Sequence, residues 1–218
     1  MGEAVKVAVA VLTYNRFALL KCTLASLRCS DYPFDLCLLD GGSSDPLQRD
    51  FVLVQGGHLA QITTIGESVN VAVEWALEGK PDLILFSADD YEYKPGWLAS
   101  LVRFWEAAPL DVALVCCNLE PDYDWNAVQG VIVAGGMLAL VRDSVPGSNW
   151  SFRVGMWPQI GPLEAKTGGE DLEVCRQLRE QGYRLVALDL CGHIGERQSA
   201  WCNRSWENAR PLDKKLWV

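Results

Sequence analysis

Basic charge is scarce in this chain. Nineteen Lys and Arg stand against 28 Asp and Glu in 218 residues, giving a net charge of -9 and a pI near 4.7. Nucleic acids are held through neutralised phosphates, so this balance argues against a nucleic-acid partner. Long apolar runs are missing as well. The longest, "VQGVIVAGGMLALV" (128–141), is too short and too rich in glycine to span a bilayer, which takes roughly 20 apolar residues in a row. The start, "MGEAVKVAVAVLTYN", carries Glu3 where a secretory leader is basic, and Lys6 where the myristoylation pattern has Ser or Thr. A cytoplasmic chain with no membrane span is the expectation. Cysteine is present but unpaired in pattern: Cys22, Cys29, Cys37, Cys116, Cys117, Cys175, Cys191 and Cys202 include no Cys-x-x-Cys. That speaks against a zinc site and suits reduced thiols. Gly-x-Gly-x-x-Gly is absent too, which removes the dinucleotide fingerprint. Histidine is confined to His58 and His193.

What is there is an alternation of strand-like and helix-like segments. "KVAVAVL" (6–12), "FDLCLLD" (34–40), "QITTIG" (61–66) and "DLILFS" (82–87) read as strands. Helical periodicity marks Phe17–Leu27, 67–79 and 95–108. In the second half "DVALVCC" (111–117), "VQGVIVAGGMLALV" (128–141) and "YRLVALDL" (183–190) read as strands and "EDLEVCRQLREQG" (170–182) as a helix. Between them lies a glycine-rich aromatic loop, "SNWSFRVGMWPQIGP" (148–162). The pattern predicts one α/β domain, a mostly parallel Rossmann-like sheet flanked by helices over 1–218, with no internal repeat or linker. Ligands of such sheets bind beyond the carboxyl ends of the strands. Thr13–Arg16, Asp40–Asp45 and Asp89–Asp90 all fall there.

Asp89 and Asp90 pose the sharpest question. Two carboxylates about 4 Å apart repel by roughly 4 kcal/mol at an effective dielectric near 20. A solvated loop would relieve them, and so would a divalent cation, for which Glu92 adds a further oxygen donor nearby. An acidic chain can bind an anionic small molecule through such a cation or through backbone N–H groups. "LLDGGSSDP" reads either as an ordinary turn or as a strand-end carboxylate, Asp40, that accepts hydrogen bonds from a base or ribose. Glu170 and Asp171 suit the positive end of a helix whether or not one of them is a general base. A lone His such as His193 is more often structural than a ligand, and His58 reads as surface or packing. Trp125, Trp150 and Trp157 read as partly core; exposed, they would suit stacking on sugar rings.

In order and spacing these segments resemble the family 2 glycosyltransferases, inverting nucleotide-sugar enzymes of the GT-A fold. "VLTYNR" resembles their first strand and nucleotide-binding loop, and "LLDGGSSDP" their Asp-Asn-Gly-Ser-x-Asp turn. "GESVNVAVEWAL" resembles the helix whose Asn, here Asn70, lies near the nucleotide. "FSADDYEYKPGWL" resembles the Asp-x-Asp metal motif in its Asn-Asp-Asp form, "GGEDLEVCRQLREQGYRLVALD" the Glu-Asp motif, and "HIGERQS" the His-x-Gly…Ser segment. The likeness spans about residues 5–200. Ser87 stands where stricter members have the first acid, Gly41 replaces Asn or Asp, and Val69 replaces an Arg. "QSAW" lacks the Arg of the processive Gln-x-x-Arg-Trp motif, so single-sugar transfer is implied.

The resemblance implies a nucleotide-binding half over about 1–108 and an acceptor and catalytic half over about 109–218. It places Thr13, Tyr14, Asn15, Arg16, Asp40, Asn70, Ser87 and Asp89 at the nucleotide, and Mn²⁺ or Mg²⁺ on Asp89 with Asp90 and His193. Asp171 becomes the base, with Glu170 beside it. The implied activity is hexosyl transfer from a UDP-, GDP- or dTDP-sugar to a carbohydrate or glycoconjugate hydroxyl, as in polysaccharide biosynthesis. Two alternatives stay open: a sugar-phosphate nucleotidyltransferase, although "VLTYNRFALL" lacks that class's glycine-rich loop, and a non-catalytic binding member of the fold, suggested by Ser87.

Overall fold

The computed structural model describes residues 4–62, 64–119, 127–165 and 169–194. In chain order these form β1 (Val7–Thr13), α1 (Phe17–Arg28), β2 (Asp35–Asp40), α2 (Pro46–Val54), β3 (His58–Leu59), α3 (Ile65–Glu78), β4 (Leu83–Ala88) and β5 (Tyr91–Tyr93). There follow α4 (Trp97–Ala107), β6 (Val112–Asn118), β7 (Val128–Ala134), β8 (Met137–Arg142), β9 (Asn149–Arg153), α5 (Trp157–Ile160), α6 (Glu170–Glu180) and β10 (Arg184–His193). The described strands make one sheet in the order β3-β2-β1-β4-β9-β6-β10-β8-β7, with β5 paired to β10. β3, β2, β1 and β4 are parallel neighbours, β6 and β10 are parallel to each other, and β9 runs antiparallel between β4 and β6. The architecture is therefore the expected mixed α/β domain with a mostly parallel central sheet.

Alternation of side chains along the strands divides the core into two layers. Val7, Val9 and Val11 meet Leu20, Leu24 and Leu27 of α1 and Leu98, Leu101 and Phe104 of α4 on one face. Ala8 and Ala10 meet Val69, Ala72 and Val73 of α3 on the other, where Val174 and Leu178 of α6 cover Leu185 and Ala187. β1 has apolar residues at every position up to Leu12 because both of its faces are covered.

α2, β3 and β5 lie where the sequence reading places no element, and three expected segments differ, each for a local reason. The strand expected over 61–66 is absent: Thr64 caps α3 by accepting from the Glu67 N–H (3.2 Å), which draws Ile65 and Gly66 into the helix. The single strand expected over 128–141 is a hairpin, turned at Gly135 and Gly136 with φ of 56° and 76°. A Cβ on Gly135 would lie 2.3 Å from the Arg103 carbonyl oxygen, so both the turn and the packing on α4 require glycine there. The aromatic loop expected over 148–162 opens instead with β9, whose Trp150 pairs with Phe86 of β4 and is 1 % exposed. Trp157 stacks on Phe152 at 5.8 Å, and Trp125 lies outside the described residues.

Trp150 is thereby a core side chain rather than a platform for sugar. Trp150→Ala is expected to destabilise the fold by about 3–5 kcal/mol, the usual cost of deleting a buried large aromatic ring. Chemical denaturation measures it. Unchanged stability with impaired acceptor use would return Trp150 to the substrate.

Candidate functional site

The three polar loops singled out in the sequence do converge. Thr13 pairs with Asp40 in the β1–β2 register and Leu12 with Ala88 in the β1–β4 register, so the loops after these three adjacent strands leave the same edge of the sheet side by side. They are also tied to one another. The backbone of Asn15, at φ 52°, donates to Ser43 Oγ (2.8 Å), and Asn15 Oδ1 accepts from the Ser44 N–H (2.8 Å). Asp40 is fully buried: Oδ1 accepts from the Gly42 and Ser43 N–H groups (2.9 and 2.6 Å), and Oδ2 from Gln48 (3.1 Å). Asp40 thus shapes its own turn, with its oxygens engaged inside the protein.

The carboxylate pair is compensated from within. Arg16 reaches both acids, with Nε 3.0 Å from Asp89 Oδ1 and Nη1 2.7 Å from Asp90 Oδ2. Thr13 donates its hydroxyl to Asp89 Oδ2, and Gln48 donates to Thr13 Oγ1 (2.9 Å). Asp89 is therefore enclosed, with 0 % exposure and a polar partner at each oxygen. Burial pushes its carboxyl up to about 6, against the pull of the Arg16 charge. For Asp90 burial acts in the same direction, but the contacts with His193 and Arg16 outweigh it and hold this carboxyl below the usual range.

His193 arrives by strand pairing. β10 runs three residues beyond the expected strand, and β5 pairs antiparallel with that extension, His193 opposite Tyr91. The Ile194 N–H then donates to the Asp90 carbonyl (2.8 Å), and His193 Nε2 lies 3.2 Å from Asp90 Oδ2.

The donor set can be tested against a divalent cation. Asp90 Oδ1 and Asp89 Oδ1 are both buried without a hydrogen-bond partner, Asp89 Oδ1 facing the Arg16 guanidinium, and the His193 imidazole beside Asp90 Oδ2 is a competent ligand. Both acids touch Arg16, and Asp89 alone is also held by the Thr13 hydroxyl. Among the described residues there is no cluster of three metal-ligating side chains. Asp90 and His193 fit the protein's share of an oxygen-rich shell that a phosphorylated ligand would complete. This position falls on two of the three residues the resemblance named; Asp89 is held away from it.

The remaining residues are placed as follows. Tyr14 is half-buried in the loop after β1. Ser87 is buried in β4, where it accepts from the Tyr93 hydroxyl (2.8 Å), itself held by Asn149 (2.7 Å). Asn70 pairs through both ends of its amide with the Leu163 backbone (2.9 and 2.7 Å), pinning the 161–165 segment to α3. Asp171 sits in the first turn of α6, Oδ2 accepting from the Gly147 N–H (3.1 Å). A Cβ on Gly147 would be 2.6 Å from Asp171 Cβ. One residue on, the Ser148 carbonyl accepts from the Ala88 N–H (2.7 Å) and its hydroxyl pairs with Tyr91 (2.6 Å). Asp171 is in this way linked by a single short loop to the strand end that carries Asp89 and Asp90. Glu170 opens the same helix. The residues after Ile194 in "HIGERQS" lie outside the described residues, as does Cys202.

Gln48 was not anticipated. It is fully buried and donates to Thr13, Asp40 and Ser43, joining two loops and, through Thr13, Asp89. Its signal in the sequence is its position four residues before Val52, on the buried face of α2, where an apolar residue is the rule.

Comparison with known proteins bears on the family and the fold. The model of the family described as glycosyl transferase family 2 matches residues 8–132, more than half of the chain. No curated protein sequence matches significantly. Among solved structures, the mannosyltransferase PcManGT from Pyrobaculum calidifontis, in complex with GDP-Man and Mn²⁺, superposes with a TM-score of 0.62 at 18 % identity, covering 92 % of this chain and 60 % of its own. GalNAc-T7 with UDP, GalNAc and Mn²⁺ gives 0.65 at 14 %, covering 87 % and 44 %. TarS 1-349 of S. aureus gives 0.60 at 16 %, covering 84 % and 58 %. The chain therefore spans about half the length of these structures. No described helix is long and apolar enough to cross a membrane. A family match that runs from β1 into β7 and takes in all three strand-end loops makes this chain a member of glycosyl transferase family 2.

Proposed function

We propose that this protein transfers one sugar, with inversion, from a nucleoside-diphosphate sugar to a hydroxyl of a carbohydrate or glycoconjugate. The observation that carries the reading is the convergence of Thr13–Arg16, Asp40–Asp45 and Asp89–Asp90 on one sheet edge, with His193 brought onto Asp90. The loops after β1 and β2, cross-tied through Asn15 and Ser43, form a rigid wall for the nucleotide. Asp90 and His193 would hold a divalent cation, Mn²⁺ or Mg²⁺. When bound, such an ion neutralises charge developing on the leaving diphosphate. Asp171 would accept the proton of the acceptor hydroxyl as its oxygen bonds to the anomeric carbon and the bond from that carbon to the phosphate oxygen breaks. The UDP-, GDP- and dTDP-sugars are the candidate donors; the solved neighbours hold GDP-Man or UDP.

The test is to incubate the protein with each donor and Mn²⁺, with and without simple sugar acceptors, and to follow free nucleoside diphosphate and free sugar. One donor is expected to give slow, cation-dependent hydrolysis that acceptor diverts into transfer. Pyrophosphate release from a nucleoside triphosphate and a sugar phosphate would instead identify a nucleotidyltransferase. Tight binding with no turnover would identify a binding protein.

A further inference from the structure

Arg16 occupies the place where a cation is called for, yet it belongs to the protein. Its guanidinium bridges Asp89 and Asp90 at 3.0 and 2.7 Å and is itself 9 % exposed. With Arg16 in position and His193 neutral, the two carboxylates and one guanidinium sum to a single negative charge. A divalent ion on Asp90 would then lie next to another cation that shares the same carboxylate, and the two compete. A diphosphate changes the balance, because a guanidinium binds phosphate oxygens at least as well as carboxylates, in the same forked geometry.

The backbone around Arg16 suits such an exchange. Asn15 is fixed on one side by its bonds to Ser43 and Ser44, and α1 begins at Phe17 on the other. Arg16 itself is the residue between, at φ −135° and ψ 47°, and α1 starts with no side-chain cap, its positive end opening beside the guanidinium. Passing the guanidinium to another partner asks for movement of the Arg16 side chain alone, between two fixed stretches of backbone.

We infer that Arg16 is a shuttling counter-ion: it neutralises Asp89 and Asp90 in the free protein and passes to the diphosphate when the nucleotide binds, leaving Asp90 to the divalent cation. Resting on the reading above that this edge takes a nucleoside diphosphate, the inference adds that nucleotide and cation bind cooperatively, and that Arg16 is the coupling residue. Linkage requires the effect to be mutual: each ligand raises the affinity of the other by the same factor.

Titration calorimetry with Mn²⁺, and with UDP, GDP and dTDP, tests it without reference to turnover. Arg16→Gln is expected to bind Mn²⁺ at least about tenfold more tightly than the natural protein when no nucleotide is present, while the gain in Mn²⁺ affinity conferred by nucleotide shrinks by a similar factor. Equal or weaker Mn²⁺ binding by the nucleotide-free variant overturns the inference. Arg16→Gln leaves two buried acids without their guanidinium and could fail to fold, so Arg16→Gln with Asp89→Asn serves as the second arm, since it keeps the cluster at one negative charge. In that protein the gain in Mn²⁺ affinity conferred by nucleotide is expected to be at least about tenfold smaller than in the natural protein, leaving only what the phosphates contribute by ligating the cation themselves; coupling as strong as in the natural protein overturns the shuttle. Natural protein that binds none of UDP, GDP and dTDP, with or without Mn²⁺, refutes instead the underlying reading of the site, and the shuttle with it.

Discussion

Asp171→Asn is expected to cut turnover at saturating donor and acceptor by about 10²–10⁴, the usual worth of a general base, with nucleotide affinity unchanged. The structure sharpens this forecast because Asp171 has a second task. Its carboxylate holds the Gly147 N–H at 3.1 Å and accepts from its neighbour Leu172 at 2.8 Å. Asn retains one acceptor oxygen and the side-chain shape, so at most one of these bonds is lost, at about 0.5–1.5 kcal/mol. In a domain of this size that is a fall of about 2–4 °C in melting temperature per kcal/mol. Two outcomes are thus separated by magnitude. If Asp171 only clamps the 146–148 loop and caps α6, the variant melts a few degrees lower and turns over nearly as before. Near-normal turnover would remove Asp171 as the base and direct attention to Glu170.

The central parallel strands and the helices α1 and α3 were legible because their physics is local. β1, β2 and β4 are buried on both faces and read as unbroken apolar runs, and α1 and α3 carry their apolar residues at helical spacing. What escaped the reading depends on long-range pairing. Residues 149–153 are polar and apolar by turns, like a loop with aromatics in it, and become β9 only because β4 and β6 stand apart with room for an antiparallel strand between them. β5 is three residues long and exists because β10 extends past its apolar segment to meet it. Neither fact is written in either segment alone.

The site divides in the same way. Which loops matter could be read from the strand ends, since in an open parallel sheet the connectivity puts them together. How the side chains are shared out could not. Asp40 and Asn70 turn to their own backbone neighbours, and the charge that answers Asp89 and Asp90 comes from Arg16, more than seventy positions earlier. Like charges next to each other in sequence announce that a counter-charge is needed. They do not say which residue supplies it, because that depends on the register between β1 and β4.

Asp90→Asn and Asp89→Asn should therefore behave differently, although a reading of "SADDYEY" treats the two acids alike. Each acid has one oxygen with no hydrogen-bond partner and each touches Arg16, but Asp90 has His193 3.2 Å from its other oxygen, whereas Asp89 is closed in by the Thr13 hydroxyl. If Asp90 is the cation ligand, Asp90→Asn removes the charged half of a two-residue donor set. The added stability that Mn²⁺ confers in the presence of nucleotide should then vanish. For ligand at a hundredfold over its dissociation constant that gain is about 2.7 kcal/mol, which a melting curve resolves easily. Asp89→Asn leaves Asp90 and His193 in place, and it relieves a buried carboxyl that burial already biases toward its neutral form. Its Mn²⁺-dependent gain should remain, and its stability without ligand should change little. Thermal unfolding of the two variants, each with nucleotide alone and with nucleotide plus Mn²⁺, decides between the assignments. Loss of the Mn²⁺ effect in Asp89→Asn and its survival in Asp90→Asn would reverse them, and would mean that the Thr13–Asp89 contact opens when ligand binds.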